Sequence, residues 1–215
     1  MVERDFHDTI RHLDSRFLSW QEAERRVMMM NNSPTKMLED EHLVIAKVIS
    51  AAPVLADQLE AGQAVDEKTL HGLIEFMHTF ADKCHHGKED DLLFPTLVNK
   101  GISKQGCPIG ALTAEHARGR TLVQELSNAA DAYQSGDRNA ENMLVKSLRE
   151  IVTLYPNHIW KEDYLLFPLT NKVLSLEEQQ ALYRQFEQVW ERVGRDVHHR
   201  LEQFAEELSK SAHTC

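Results

Sequence analysis

Apolar residues recur at three- and four-residue intervals along nearly the whole chain, and nowhere do they alternate as a half-buried strand requires. Phe6, Ile10, Leu13, Phe17, Trp20 and Val27 predict a first helix over about 6–29, ended by "NNSPTK". Ser33 and Pro34 form an N-cap and first-turn pair opening a second helix, with Leu38, His42, Ile45, Ile49, Ala52, Leu55 and Leu59 on one side and Gly62 as its stop. A third runs from about Asp66 to Lys100, where Pro95 is expected to bend or shorten it, and a fourth from about Ala111 to Gln134. A fifth covers about 138–173, interrupted by Pro156 and Pro168. Ser175 and Glu178 make a capping box that opens one last long helix reaching Leu208. The pattern predicts an all-α fold: an up-down-up-down four-helix bundle over 35–173, an N-terminal helical extension over 1–34, and a long C-terminal helix over 174–215 packed on the bundle or on a partner.

Composition agrees with helix, since the 215 residues include only nine Gly and six Pro. The formal net charge of -10 repels nucleic acid and anionic membrane surfaces, so neither is expected as a partner. Cys84, Cys107 and Cys215 are odd in number and far apart, which fits a reducing cytoplasm better than a disulfide framework. The polar start "MVERDFHDTIRHLD" does not resemble an export signal, and no apolar run is expected to span a membrane.

The chemistry comes from an internal repeat. "HHGKEDDLLFP" from His85 and "HIWKEDYLLFP" from His158 coincide at eight of eleven positions, and the preceding helices carry Glu41-His42 and Glu115-His116. His42 precedes His85 by 43 residues, and His116 precedes His158 by 42. Each half therefore offers one His from its first helix and an H-x-x-x-E pair from its second, and residues four apart share a helix face. Four inward His with two Glu would be costly unless paired, and two metal ions would pair them. Imidazole and carboxylate donors suit iron, manganese or zinc.

On these residues the sequence resembles the hemerythrin-like proteins with the HHE cation-binding domain, whose signature is H…HxxxE…H…HxxxE, over roughly 35–173. The resemblance implies a non-haem di-iron centre with an oxo or hydroxo bridge, held by His42, His85, Glu89, His116, His158 and Glu162, the two glutamates bridging. Oxygen-carrying members have a further His where Arg120 stands, and they use an Asp at the offset of Asp163; the repeat favours Glu162 instead. The chain is thus more similar to the bacterial branch, which includes sensors, peroxide-active proteins and nitric-oxide-responsive iron-sulfur repair proteins. The repair proteins carry a cysteine-containing N-terminal domain, and residues 1–34 contain no Cys.

A missing ligand opens metal positions, so the expectation is binding of, and reaction with, dioxygen, peroxide or nitric oxide in stress response or detoxification. The alternative is a sensing or storage module without turnover, with the C-terminal apolar stripe seeking a protein partner or a second copy. His78 is an additional ligand candidate, and Tyr155 and Tyr164 border the second motif. Phe94 and Phe167, with Leu93 and Leu166, are expected to form an apolar collar. His86 and His198 read as surface residues, Lys88 and Asp90 as outward-facing, Cys84 as a small buried residue or redox reporter, and Glu41 and Glu115 as either His-orienting or solvated.

Overall fold

The computed structural model describes residues 32–137 and 139–212; the helix predicted over 6–29 and Cys215 lie outside them. Within the described residues the chain is all helical, with no strand.

Helix α1 is Pro34–Glu60. Ser33 caps it, its Oγ accepting from the Lys36 N–H at 3.1 Å, and Pro34 supplies a first-turn residue that has no N–H to leave unpaired. By length and composition alone α1 is long and apolar enough to cross a membrane, and half of its most apolar window is buried inside the protein, as in the core helix of a globular bundle. Helix α2 covers residues 67–99, from the Asp66 cap to a stop at Gly101, whose φ of 90° favours glycine. Helix α3 is Ile109–Gln134. Helix α4 covers residues 140–173.

Pro156 and Pro168 do not interrupt their helix, a departure from the sequence reading, and the helix containing Pro95 runs on to Asn99, close to the end expected from sequence. The reason at Pro95 and Pro168 is a widened turn. Glu89–Leu93 and Glu162–Leu166 are π-helical, with the Phe94 N–H reaching Glu89 and the Phe167 N–H reaching Glu162, one residue further back than in an α-helix. Each widened turn immediately precedes a Phe-Pro pair. A proline ring collides with the carbonyl four residues earlier, and opening that turn gives it room. A longer π-helical stretch, Phe76–His86, precedes the first of these.

The predicted last helix is two helices. The capping box at Ser175 and Glu178 opens α5, Leu176–Val193, as expected; Gly194, at φ 100°, then turns the chain into α6, Arg195–Ala212. Leu182, Phe186 and Val189 of α5 and Leu201, Ala205 and Leu208 of α6 are buried, so most of the C-terminal apolar face is covered within the chain. A Cβ on Gly72 would fall 2.3 Å from the Phe204 ring, a measure of how closely α6 approaches α2.

The apolar interior is divided into two clusters, and the division positions the site. One contains Ile45, Ala81, Leu122, Ile151 and Tyr155, together with Leu201 and Leu208; the other contains Leu38, Leu93, Leu112, Leu166 and Phe186. On α1, His42 falls between Leu38 and Ile45. On α2, His85 and Glu89 fall between Ala81 and Leu93. On α3, His116 falls between Leu112 and Leu122, and on α4, His158 and Glu162 fall between Tyr155 and Leu166. The polar residues thus form one layer between two apolar ones.

Candidate metal centre

The six sequence-predicted residues meet in that layer, each at most 3% exposed. Nε2 of His42 lies 3.0 Å from Nε2 of His85 and 3.0 Å from Oε2 of Glu162. The other oxygen of Glu162, Oε1, lies 3.1 Å from Nε2 of His158 and 3.5 Å from Nε2 of His116. Glu162 therefore presents one oxygen to the histidines of each half. Glu89 also faces both halves, its Oε2 3.4 Å from His116 and 3.8 Å from His85. Two adjoining donor groups result, His42 with His85 and Glu162, and His116 with His158, Glu89 and Glu162.

Carboxylates outside this layer hold all four rings in one tautomer. Nδ1 of His42 donates to Asp163 at 2.8 Å, that of His85 to Glu41 at 3.0 Å, that of His116 to Asp90 at 2.8 Å, and that of His158 to Glu115 at 3.1 Å. With the proton fixed on Nδ1, each Nε2 lone pair is directed at the centre, which is how metal-binding imidazoles are oriented. Glu41 and Glu115 are thus His-orienting. Asp90, read from sequence as outward, turns to His116, because the acid next to Glu89 in the chain lies over the neighbouring helix. Lys88, also read as outward, is fully buried and pairs with Glu41; Lys161 pairs with Glu115 in the repeat.

Burial by itself would favour neutral rings at His42 and His116, but their bonds to Asp163 and Asp90 and the charges of Glu162 and Glu89 outweigh it, raising them to about 10 and about 11. His158 rises to about 9 against the same burial, through Glu162 and Glu115. Burial also opposes ionisation of Glu162, yet the imidazoles hold it well below the usual carboxylate range, whereas Glu89, buried beside Glu162, is raised. In the metal-free protein these three rings therefore favour a second proton, and a metal would take its place at Nε2 while the Nδ1 proton stays on its carboxylate.

The donor set fits a metal for a second reason. Both oxygens of Glu89, both of Glu162 and Nε2 of His116 and His158 are buried without a hydrogen-bond partner. Buried polar atoms are nearly always satisfied, so six such atoms converging on one layer are suited to a cation.

Neighbouring residues complete the surroundings. The Phe167 ring stacks on His42 at 5.5 Å and the Phe94 ring on His116 at 5.6 Å, the apolar collar anticipated from the repeat. Tyr155 is buried 6.1 Å from the His158 ring but outside both donor groups, and Tyr164 is exposed against Trp160. His78 is exposed and lines a side cavity, away from the donors. Cys84 is buried, with a thiol pushed up to about 12 by burial and by Glu41, which makes it a poor redox reporter. Two further histidines, read from sequence as surface residues, are covered. His86 is buried against His116, and His198 lies between Phe80 and Trp190, with Trp190 itself donating to Glu41 at 2.8 Å. Both are adjacent to another histidine in "HH" pairs, where sequence gives no means of choosing the inward member beyond the repeat.

The comparisons with known proteins follow the same residues. The family model described as the hemerythrin HHE cation binding domain matches residues 33–170. Uncharacterized proteins of Mycobacterium bovis and Mycobacterium tuberculosis are each 24% identical over 147 residues, covering 68% of this chain and 57% of their own length. The match therefore spans little more than half of those relatives. No solved structure matches. The family implies metal binding, typically of iron, and the His and Glu clusters are of the right chemistry for it. With the match covering more than half of its length and falling on the helices that carry the clustered residues, the chain belongs to the hemerythrin HHE cation-binding domain family.

Proposed function

We propose that His42, His85, Glu89, His116, His158 and Glu162 hold two non-haem iron ions, with Glu162 and Glu89 bridging, and that the protein binds and reacts with a small oxidant: dioxygen, peroxide or nitric oxide. The observation that carries this reading is the division of Glu162, one oxygen towards His42 and the other towards His158. The four helices of the site then form an up-down-up-down bundle. Supporting that topology, α1 and α3 pass from the Leu38 cluster to the Ile45 cluster, and α2 and α4 pass back.

Bound iron supplies redox chemistry and coordination positions open to small ligands. The chain's own part is to fix the donors. Asp163, Glu41, Asp90 and Glu115 hold the imidazole protons on Nδ1, while Phe94, Phe167, Leu93 and Leu166 exclude water from that side of the layer. A reducing cytoplasm, and neither nucleic acid nor membrane as partner, complete the proposal, supported by the cysteine pattern and the net charge of -10.

A sensing or storage role is favoured by a different observation. Trp190 of α5 and His198 of α6 both approach Glu41, which orients His85, so the C-terminal helices touch the support of the centre. Most of the C-terminal apolar stripe is buried within the chain, which weakens the case for a partner on that face.

Metal analysis of the purified chain, followed by absorbance during separate exposure to dioxygen, peroxide and nitric oxide, tests these readings. Two irons with consumption of an oxidant support reaction. Reversible spectra without consumption move the conclusion to sensing, and zinc alone overturns the redox reading.

A further inference from the structure

Resting on the proposed metal centre, we infer that His86 is a fifth imidazole ligand, to the ion held by His116 and His158. His86 is 2% exposed, and neither of its ring nitrogens has a hydrogen-bond partner. The nearest acid, Asp82, stands 3.5 Å from Nδ1 without forming a hydrogen bond and is itself held by Arg120 at 2.7 Å. The ring stacks on His116 with centroids 4.0 Å apart and meets His158 edge-on at 5.3 Å. Ligand-capable nitrogens of His86, His116 and His158 lie within 4.8 Å of one another. With metal–nitrogen bonds of about 2.1 Å, two ligands on one ion are at most about 4.2 Å apart, so coordination requires a small closure together with a turn of the His86 ring out of its stack on His116, which brings its in-plane lone pair onto the ion.

Packing alone does not account for an imidazole here. The repeat places Ile159 at the corresponding position, and an isoleucine would fill space without two orphaned polar atoms. The two halves are otherwise matched in ligands, in supporting acids and in stacked phenylalanines, and His86 is where they part. It also lines a cavity of about 620 Å³ with Tyr155, Gly119, Arg120 and Asp82, placing it between that cavity and His116. The consequence is an unsymmetrical centre with three imidazoles on one ion and two on the other. The position lacking a histidine at Arg120 is compensated from the second helix, and the less saturated ion is the one at His42 and His85.

The test uses the full chain loaded with iron. Proton NMR should resolve five solvent-exchangeable, hyperfine-shifted imidazole N–H signals in the unaltered protein. H86F, which keeps an aromatic ring to stack on His116, should retain two irons, lose one of those signals and bind azide about tenfold more tightly at the opened position. Four signals in the unaltered protein, or azide affinity in H86F within twofold of it, overturn the assignment while leaving the two-iron reading intact. A chain that takes up no iron overturns both. Because the signal count is read on the unaltered protein, failure of H86F to fold leaves the test decisive.

Discussion

Asp163 accepts the Nδ1 proton of His42 at 2.8 Å, although the two residues belong to opposite halves of the repeat. Asp90 makes the reciprocal contact with His116, also at 2.8 Å. An acid on the second helix of each half thus supports the first histidine of the other half, while Glu41 and Glu115 serve histidines within their own halves. Glu162 faces the donor layer and Asp163, one residue on, faces the back of His42, so adjacent acids take separate tasks.

The crossed contacts predict a metal-affinity series. D163A and D90A should each weaken iron binding about 10–100-fold, the usual consequence of removing an orienting carboxylate from a metal-bound imidazole. R120A should do less, since it removes a neighbour that grips Asp90 at 2.6 Å and leaves the Asp90–His116 bond in place. Chelator competition titrations read these values, and an undiminished affinity in both aspartate variants would show the contacts to be incidental.

Raised histidine pKa values predict how the metal-free protein responds to pH. His158, His42 and His116 rise to about 9, 10 and 11, from an ordinary value near 6.5. The folded state therefore binds protons more tightly than the unfolded one. Their stabilising contribution is complete below about pH 6.5 and is lost as pH climbs through about 9–11. Denaturant titrations of metal-free protein should show stability falling across that window. Metal must displace these protons, so loading near neutral pH should release protons and affinity should strengthen as pH rises. Proton-neutral loading, measured in a weakly buffered solution, would contradict the assignment.

Lys88 and Glu41 predict a strongly non-additive pair. Lys88 is fully buried, pairs with Glu41 and lies 4.9 Å over the Trp190 ring. Glu41 is held well below the usual carboxylate range: burial opposes this, but Lys88, His198 and His85 outweigh it. K88M should cost about 3–5 kcal/mol, because it leaves a buried carboxylate without its main cation. Adding E41Q should recover part of that loss, and a double-mutant cycle by chemical denaturation measures the coupling. Additive losses would mean that the pair is not a unit.

The six clustered residues were legible because the repeat names them twice. His85 could be separated from His86 as the motif member only because His158 has an isoleucine after it. What periodicity could not convey was what lies over the flanks of the second helix. At 3.6 residues per turn, Lys88 and Asp90 flank Glu89 and point away from it. Glu41 of α1 and the Trp190 ring of α5 cover Lys88, which is fully buried, and Asp90 reaches across to His116. Gly194 was likewise hidden, since the apolar spacing continues almost undisturbed from Val189 to Leu201 and only a positive φ marks the turn. Pro156 misled in the opposite sense, because a proline inside a packed helix is tolerated when surrounding contacts hold its neighbours.

The crossed aspartates also bear on ancestry. A chain containing a single half would have a Glu to orient its second histidine, but the acid needed behind its first would have to come from elsewhere. Two copies related by a two-fold axis would supply it mutually, each lending its Asp and its Glu to the other. The present chain has the layout of such a symmetric dimer fused end to end, with a histidine at position 86 of one copy where the other has Ile159.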